Sequence, residues 1–409
     1  MKAYVEAHGC ALNIGESREL EEELLSLGWE LADSPSGADL AVLATCVVVE
    51  KTERDMLKRV RALSSVPRLV VTGCMATTDC RARATLIAPH AEFVPPVDPA
   101  SFRRLVPRAG PRKAHRARDA CAIVPVATGC LGDCSYCITR CARGALRSRP
   151  VETVVDAVSR AAGGGPTEIQ LTAQDTASYG SDIGSDLVSL VSCVCSAPLE
   201  FRLRVGMMSP MSALRVSDRL PGMYLEPKVF KFLHMPVQSG SDRLLEEMGR
   251  GHTAAEFHSV VDRIRAEVPG LSFSTDLIIG YPGETEEDHE ANLEVVRRSV
   301  PDIVNVTKFS PRPGTRACGA PSRVPGRVVK ERSKEITRLR FKVALDRNRA
   351  WVGREVRVLV TEHVKEGTTV TRTDEYRQVV VPGRLPLGGF HDVIVEGATP
   401  TYLIGRRTD

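Results

Sequence analysis

The first hundred residues alternate predicted strands with predicted helices, and each of the three strands ends close to a cysteine. Short apolar runs predict strands at Lys2–Ala7, Asp39–Ala44 and Arg68–Thr72. Apolar residues at helical spacing predict helices at Glu16–Leu27 and Glu50–Leu63. Repeated strand–helix units of this kind fold as an open parallel α/β sheet.

The cysteines that follow these strands form what we call the amino-terminal cysteine set: Cys10, Cys46 and Cys74. The carboxyl ends of parallel strands meet at one edge of a sheet, where open α/β sheets bind ligands. We therefore expect the three thiols to converge and to hold an iron–sulfur cluster that has one fewer ligand than usual. The alternative is that each cysteine is an ordinary small core residue.

A second group of cysteines has the spacing C-x3-C-x2-C and follows the predicted strand Ile123–Thr128. We call it the central cysteine set: Cys130, Cys134 and Cys137. Three thiolates at this spacing can bind three corners of a [4Fe–4S] cluster and leave the fourth iron open. Two alternatives stay open here, a zinc site with Cys141 as fourth ligand and a thiol redox site at the C-x2-C pair.

The strand–helix alternation returns between residues 122 and 311 with six candidate strands. They are Ile123–Thr128, Glu168–Thr172, Glu200–Val205, Val229–Val237, Ser272–Ile279 and Ile303–Phe309. Helices predicted between them include Val151–Ala162, Leu187–Cys195, Ala254–Val268 and Glu286–Ser299. Six such repeats favour a partial (β/α)6 barrel, although the pattern also fits a doubly wound sheet.

Polar residues lie at the carboxyl ends of these predicted strands, where α/β barrels carry their functional groups. The candidate ligand-binding side chains are Gln174, Asp175, Gln238 and Asp276. Polar residues also build turns, so a structural role is the alternative for each of them. No side chain is assigned a catalytic role.

The remainder of the chain is first basic and then rich in β-structure. Between Arg323 and Arg354 there are eleven Lys or Arg against three Asp or Glu, most of them on a predicted helix, Arg327–Ala350. This charge indicates a polyanionic partner or a solvated helix face. Alternating apolar residues within 355–360, 377–381 and 392–396 predict a small all-β module.

The sequence also bears on the cellular compartment. It contains no apolar run near 18 residues, and its first residues lack the apolar core of a signal peptide. We therefore expect a cytoplasmic protein with no membrane segment. Because thiols stay reduced in the cytoplasm, metal ligation explains twelve cysteines better than disulfides do.

The central cysteine set, placed after the first strand of an α/β repeat domain, resembles that of the radical S-adenosylmethionine (SAM) superfamily. The resemblance implies that these cysteines hold a [4Fe–4S] cluster at which SAM binds and is cleaved to a 5′-deoxyadenosyl radical. It also implies that Tyr136, just before the last cysteine, packs near the adenine. The polar strand ends then become candidate SAM contacts at Gln174, Asp175, Gln238 and Asp276.

Nearly the whole chain resembles the methylthiotransferase family of radical SAM enzymes. Its positions for an auxiliary [4Fe–4S] cluster match GCALN at 9–13, ATC at 44–46 and TGCM at 72–75. The family usually has Asn-Thr-Cys at the second position, where this chain has Ala44. The resemblance implies two [4Fe–4S] clusters, a methylthiotransferase domain at 1–105, a basic linker at 106–119, a radical SAM domain at 120–345 and an RNA-binding TRAM-like β-barrel at 346–409.

Four segments resemble the archaeal and eukaryotic branch of that family: Gly129–Pro150, Leu171–Gly184, Phe232–Asp242 and Phe309–Thr315. Enzymes of that branch place a methylthio group on C2 of N6-threonylcarbamoyladenosine at tRNA position 37, next to the anticodon. The resemblance implies three partners: the anticodon arm of tRNA, an electron donor such as a ferredoxin or flavodoxin, and a sulfur donor. Alternatives are a methylthiotransferase for isopentenyladenosine or a ribosomal-protein aspartate, and a non-catalytic iron–sulfur or zinc protein that binds RNA.

Overall fold

The computed structural model describes residues 1–96, 99–113, 120–163, 168–364 and 367–408. The chain divides into two compact units. Unit 1 contains Met1–Ala117, Thr128–Arg147 and Ser310–Gly319. Unit 2 contains Arg118–Ala127, Ser148–Phe309 and Ala320–Asp409. Two segments that are far from the amino terminus in sequence therefore belong to unit 1.

Unit 1 is built on a parallel sheet with helices on both faces. Its strands are β1 (Lys2–Ala7), β2 (Glu30–Ala32), β3 (Leu40–Thr45), β4 (Arg68–Gly73) and β5 (Glu92–Phe93). Its helices are α1 (Ala11–Ser26), α2 (Glu50–Leu63), α3 (Cys80–Ile87), α4 (Pro99–Leu105) and α5 (Ile138–Arg143). The strand order is β2-β1-β3-β4-β5, and all the pairs are parallel. This confirms the open parallel α/β sheet predicted from the sequence.

The strands of unit 1 bury side chains on both faces of the sheet. In β3, Ala41 and Leu43 pack in a core that includes residues of α2 and α3. The intervening Leu40 and Val42 pack in a second core with Trp29. Alternate residues of a strand point to opposite faces, so a nearly continuous apolar strand is typical of a sheet covered on both sides.

Helix α1 begins at Ala11, five residues before the predicted start at Glu16. Its first turns bury the polar residues Asn13, Glu16 and Ser17. These turns therefore lack the apolar spacing by which a helix is recognised in a sequence. The buried polar residues lie directly after Cys10, and this is the part of the fold where a binding site was predicted.

Unit 2 starts with six parallel strands: β6 (Cys121–Pro125), β9 (Glu168–Thr172), β10 (Arg202–Val205), β11 (Phe232–His234), β12 (Ser272–Ile279) and β13 (Ile303–Lys308). Two short strands, β7 (Ala127–Thr128) and β8 (Arg147–Ser148), lie between β6 and β9 in sequence. The six form two sheets, β6-β9-β10 and β11-β12-β13, joined by a parallel bridge between Leu203 and Val229. The order of these strands in space follows their order in the chain, as in a partial (β/α)6 barrel and not as in a doubly wound sheet.

The helices between these strands are α6 (Val151–Gly163), α7 (Leu187–Cys195), α8 (Pro210–Ala213), α9 (Leu220–Leu225), α10 (Asp242–Glu247), α11 (Ala254–Glu267) and α12 (Glu286–Ser299). The bounds of α6, α7, α11 and α12 agree closely with the four predicted helices, whereas the short α8, α9 and α10 were not predicted. Capping boxes at Thr253 and Thr285 fix the first residues of α11 and α12. The basic helix follows as α13 (Gly326–Arg349).

The last part of unit 2 is a closed five-stranded β-barrel. Its strands are β14 (Glu355–Val364), β15 (Thr368–Arg372), β16 (Gln378–Pro382), β17 (Phe390–Ala398) and β18 (Leu403–Arg407). Their order around the barrel is β14-β15-β16-β18-β17. This confirms the predicted all-β module. Strands β15 and β18 were not predicted, since β15 is threonine-rich and β18 ends in two arginines instead of alternating clearly.

The turn between β15 and β16 carries Tyr376 against the amino-terminal ends of the parallel strands. The Tyr376 ring lies 4.9 Å from that of Phe230 and 5.1 Å from that of Phe232, measured between centroids. Its hydroxyl donates to Glu168 Oε1 at 2.6 Å. Because Glu168 begins β9 and Phe232 begins β11, the β-barrel covers this end of the strands, opposite the end where ligands were predicted to bind.

Part of the predicted basic linker, 106–119, packs in the core of the unit 1 sheet. Val106 is buried in the core with Trp29, and the backbone N–H of Lys113 donates to Leu25 O at 2.9 Å. Residues 114–119, including Arg116 and Arg118, lie outside the described residues. In the described ranges, none of the helices is both long enough and apolar enough to cross a membrane.

Candidate functional site

The amino-terminal cysteine set lies at one edge of the unit 1 sheet. Strands β1, β3 and β4 are neighbours, and Thr45 at the end of β3 is level with Gly73 at the end of β4. Cys10 occupies the position just before α1, Cys46 follows β3 directly, and Cys74 starts a single 3-10 turn. Cys46 and Cys74 are buried and Cys10 is exposed. The structure therefore brings the three predicted ligands to one edge, with one thiol open to solvent.

Two polar side chains hold the loops that carry these cysteines. Asn13 Nδ2 donates to the carbonyl oxygens of His8 and Thr45, both at 2.8 Å. The Thr45 hydroxyl donates to Thr72 O at 2.5 Å and accepts from the N–H of Met75 at 3.1 Å. Asn13 thus ties the loop before Cys10 to the end of the strand before Cys46.

Glycine at positions 9 and 73 lets these loops approach closely. Gly9 has φ +107°, and a Cβ added there would lie 2.5 Å from Cys46 Cβ. Gly73 has φ +80°, and its added Cβ would lie 2.4 Å from Thr45 O. Any larger residue would both strain the backbone and push the loops apart. The two glycines before cysteines noted in the sequence therefore have a steric reason.

Burial and one buried cation act on the thiols in opposite directions. Burial raises the pKa of Cys46, and it raises the pKa of Cys74 to about 12. The Arg143 guanidinium lowers the pKa of both thiols, though by less than burial raises it. Since the thiolate is the form that binds metal, Arg143 favours ligation at this edge.

The strand that leads to Cys10 carries a network around Glu6. Arg59 donates to both Glu6 carboxylate oxygens at 2.7 and 2.6 Å, Tyr4 donates at 3.0 Å, and His8 lies at 2.5 Å. Burial alone would raise the pKa of Glu6, but these hydrogen bonds lower it to about 2. In the unfolded chain its pKa is near the ordinary value of 4.5.

We expect Glu6→Gln to destabilise unit 1 at pH 7 by about 1–2 kcal/mol, because it removes charge-assisted hydrogen bonds. A lowered native pKa stabilises the fold above about pH 4.5, and this contribution disappears as the pH falls towards 2. The gap between wild type and variant should therefore shrink over that range. Urea unfolding followed by Trp29 fluorescence in a Trp351→Phe background measures it, with Asp55→Asn at an exposed pair as the control.

The central cysteine set lies in the loop between β7 and α5. Cys137 caps α5, and its N–H donates to Cys134 O at 3.1 Å. The N–H of Gly132 points to Cys130 Sγ at 3.2 Å. Gly129, which precedes the loop, has φ +75°. A Cβ added at Gly129 would lie 1.9 Å from Ala145 O. The loop is therefore tightly folded, with backbone N–H groups available to sulfur.

Segment 310–319 braces the same loop from within unit 1. Arg316 binds the carboxylate of Asp133 and donates to its carbonyl oxygen at 2.7 Å. The N–H of Ala317 donates to Ser135 O at 2.9 Å. The thiol of Cys141, the fourth ligand of the zinc alternative, donates to Gly314 O at 3.5 Å. Three residues of the central loop and of α5 thus have partners in this segment.

The residues present fit two iron–sulfur clusters better than mononuclear sites. Each set offers three thiols held by tight loops, which is the donor chemistry of a cubane with one open iron. Within the described residues, no three His, Cys, Asp or Glu side chains are grouped for a single metal ion. A cubane spreads its ligands over several irons, so this observation does not test the cluster assignment, which stays a prediction.

Two of the predicted SAM contacts follow β9 in unit 2. Gln174 Oε1 is buried and has no hydrogen-bond partner among the described residues. Asp175 is also buried, but its carboxylate accepts from Ser209 N–H at 2.9 Å and from the hydroxyls of Ser209 and Ser212 at 2.7 Å. Gln174 is therefore open to a ligand, whereas Asp175 orders the start of α8.

The other two predicted contacts in unit 2 are neighbours. The N–H of Gln238 donates to Asp276 O at 2.8 Å, and Gln238 has the unusual φ of +76° for a residue other than glycine. Backbone strain of this kind is concentrated at functional sites. The Asp276 carboxylate lies 3.0 Å from His234 Nε2 and accepts from Asn305 at 2.6 Å. The fifth candidate, Tyr136, belongs to unit 1 and is half-buried.

Three side chains that the sequence analysis did not single out belong to these sites: Asn13, Arg143 and His234. Asn13 and Arg143 act on the amino-terminal cysteine set, and His234 contacts Asp276. A buried polar residue in the first turn of a helix gives no periodic signal. His234 lies within the predicted strand Val229–Val237, and because no second histidine stands at metal-ligand spacing, the sequence did not mark it as a ligand.

Comparison with known families matches three parts of the chain. The uncharacterised protein family UPF0004 matches residues 2–93, the radical SAM superfamily matches 124–296, and the TRAM domain matches 349–407. These matches fall on the unit 1 sheet, the parallel strands of unit 2 and the closed β-barrel. Fold and cysteine loop together define a radical SAM enzyme.

Relatives that align over nearly the whole chain identify its family. A Pyrococcus horikoshii protein named "Probable threonylcarbamoyladenosine tRNA methylthiotransferase" is 38% identical, covering 99% of both chains. A Danio rerio protein named threonylcarbamoyladenosine tRNA methylthiotransferase is 33% identical, covering 99% of this chain and 78% of its own. The chain belongs to the threonylcarbamoyladenosine tRNA methylthiotransferase family. The predicted enzyme class and cofactors, SAM and two [4Fe–4S] clusters, are those of this family.

Solved structures share the fold at low sequence identity. The radical SAM methyltransferase TsrM from Kitasatospora setae, solved with cobalamin and a [4Fe–4S] cluster, aligns with a TM-score of 0.58 at 15% identity. The alignment covers 78% of this chain and 76% of that one. The cobalamin-dependent radical SAM enzyme OxsB aligns with a TM-score of 0.52 at 9% identity, over 83% of this chain and 56% of its own. These likenesses support the α/β architecture alone.

Proposed function

We propose that this protein converts N6-threonylcarbamoyladenosine at tRNA position 37 to its 2-methylthio derivative. The observation that carries the proposal is the pair of cysteine sets within unit 1, each with three thiols in a tight loop, in a chain of this family. Two sites are needed because the reaction forms a radical and also delivers a sulfur. C2–H is a strong bond, which is why radical chemistry suits this substrate.

We assign the central cysteine set and the amino-terminal cysteine set to two [4Fe–4S] clusters. When bound, the first would supply the electron that cleaves SAM, and the second would carry the sulfur that becomes the methylthio group. The chain's own contribution is to fix the thiols: Asn13 and Thr45 hold one set, and Arg316 with Gly132 holds the other. Fixed ligand loops keep the open position of each cluster in a constant place.

We assign Gln174 and Gln238 to the SAM site in preference to Asp175, whose carboxylate already has three donors. The amide oxygen of Gln174 can accept a hydrogen bond from an amino or hydroxyl group of SAM, since it is buried without one. The Asp276 carboxylate contacts His234 and Asn305, which lie on the two strands beside its own. Gln238 is joined to the same group because its N–H donates to Asp276 O. That Tyr136 packs near the adenine stays a prediction.

We propose that phosphates of the tRNA anticodon arm contact the basic α13 and the closed β-barrel, which ends the chain as a TRAM-like domain. A ferredoxin- or flavodoxin-type protein would supply electrons, and a sulfur donor would restore the amino-terminal cluster. The same reading favours a cytoplasmic location and the domain limits 1–105, 106–119, 120–345 and 346–409.

The test is an assay with purified, reconstituted enzyme, reductant, a sulfide source, SAM and tRNA carrying N6-threonylcarbamoyladenosine. We expect a mass increase corresponding to one methylthio group in place of hydrogen on that nucleoside. A tRNA carrying isopentenyladenosine is the matched comparison and should give at least about tenfold less product, since a site built for a polar group rejects an analogue that lacks it. Equal turnover of both, or turnover of neither with SAM still cleaved, would refute the assigned substrate.

A further inference from the structure

The short helix α5 connects the two cysteine sets inside unit 1. It starts at the residue after Cys137 and ends at Arg143, so it is about 9 Å long. Its buried Ile138 and Ala142 pack in the same core as Cys74. The Thr77 hydroxyl, in the turn that Cys74 begins, donates to Ala142 O at 2.8 Å. One set thus leads directly into a helix that packs beside the other.

Arg143, the last residue of α5, makes the connection to the amino-terminal cysteine set. Its side chain is fully buried and donates to both Glu16 carboxylate oxygens, at 2.5 and 2.9 Å. It also donates to Asn13 Oδ1 at 2.5 Å. The Nδ2 group of the same Asn13 amide holds the carbonyl oxygens of His8 and Thr45. Arg143 therefore fixes the amide that ties together the loops before Cys10 and Cys46.

We propose that Arg143 is a positioning residue for the amino-terminal cluster, supplied by the helix that follows the loop of the other cluster. The inference rests on the proposed function in that the amino-terminal cysteine set must hold a cluster. Without the guanidinium, the Asn13 amide can rotate and Glu16 loses its bidentate partner in a buried place. The loops then no longer hold the thiols in one geometry, and the cluster is released more readily.

Arg140 provides a matched control on the same helix. It donates from the same type of side chain to Cys130 O at 2.6 Å and to Gly144 O at 2.9 Å. Cys130 is the first cysteine of the central cysteine set, and Gly144 is the residue that follows α5. If position relative to each loop matters, substitution of the two arginines should affect different clusters.

The experiment uses full-length protein in which one cluster is studied at a time. Cys130/Cys134/Cys137→Ala leaves the amino-terminal set alone, and Cys10/Cys46/Cys74→Ala leaves the central set alone. Arg143→Gln, Arg143→Lys or Arg140→Gln is added to each, and the chains are reconstituted anaerobically. Iron and sulfide are counted, iron release to a ferrous chelator is timed, and the reduced cluster is examined by EPR.

In the background that keeps the amino-terminal set, we expect Arg143→Gln to release iron about tenfold faster, as loss of an outer-shell partner does. The EPR line shape should also change, and Arg143→Lys should restore part of the retention. In the other background Arg143→Gln should have little effect and Arg140→Gln should accelerate release. This crossed pattern cannot come from a general loss of stability.

Equal iron loss from both backgrounds would overturn the proposal, because it would mean that Arg143 only stabilises the fold. Unchanged release and an unchanged EPR signal from the amino-terminal cluster would overturn it as well. A background that binds no iron there even with Arg143 in place would instead refute the cluster assignment itself. That result concerns the proposed function and is distinguishable from the other two.

Discussion

Anaerobically reconstituted wild-type protein should contain about eight irons per chain, and each triple cysteine variant should contain about four, since a [4Fe–4S] cluster carries four. The two variants should differ in chemistry. Cys130/Cys134/Cys137→Ala should form no 5′-deoxyadenosine from SAM. Cys10/Cys46/Cys74→Ala should still form it but should transfer no methylthio group to tRNA. Iron and sulfide analysis with product chromatography measures all of these quantities.

Cys193→Ala is the control for loss of a thiol as such, because Cys193 is exposed and belongs to neither set. It should retain about eight irons and full activity. A wild-type protein with about four irons, all lost with the central set, would show that Cys10, Cys46 and Cys74 are core residues only. Methylthio transfer would then have no site for its sulfur.

Tyr376→Ala should destabilise unit 2 by about 3 kcal/mol, the lower end of the range for truncation of a large aromatic side chain, because Tyr376 is partly buried. Besides ring packing, the change removes the hydroxyl bond to Glu168. It also removes cation–π contacts in which Arg204 lies 5.1 Å and Arg372 4.6 Å from the ring centroid. Urea unfolding followed by Trp351 fluorescence in a Trp29→Phe background reports on unit 2 alone, since the chain has two tryptophans.

Tyr376→Phe separates the hydroxyl from the ring. It keeps the packing against Phe230 and Phe232 and should cost about 1.5 kcal/mol, the lower end of the range for one hydrogen bond to a charged group. A loss below about 1 kcal/mol for Tyr376→Ala would contradict the description of this turn as a packing contact. Hydrogen exchange in β9 and β11 should rise in the alanine variant for the same reason.

The parts of the molecule that repeat a simple pattern could be predicted from the sequence. Strand β12, with helices α7 and α12, has the bounds expected from its apolar spacing. The amino-terminal cysteine set stood out because a cysteine recurs after each of three strands, and the central cysteine set stood out by its C-x3-C-x2-C spacing. The short sequence motifs around these cysteines indicated the same family as the relatives do.

Contacts between residues far apart in sequence could not be predicted in this way. Arg143 and Asn13 are 130 positions apart, and nothing in the composition near either one indicates the other. Tyr376 lies in a turn that reads as exposed, yet its partners are 208 positions away at Glu168 and nearby strand starts. Segment 310–319 likewise belongs to unit 1 although it follows the last parallel strand.

The six residues of α5 also limit which changes in chain length the protein can tolerate. One residue inserted between Cys137 and Arg143 would rotate Arg143 by about 100° around the helix and move it by about 1.5 Å along it. The guanidinium would then point away from Asn13 and Glu16. The number of residues between these two positions is therefore as strictly required as their identity, and insertions belong outside the segment from Cys130 to Arg143.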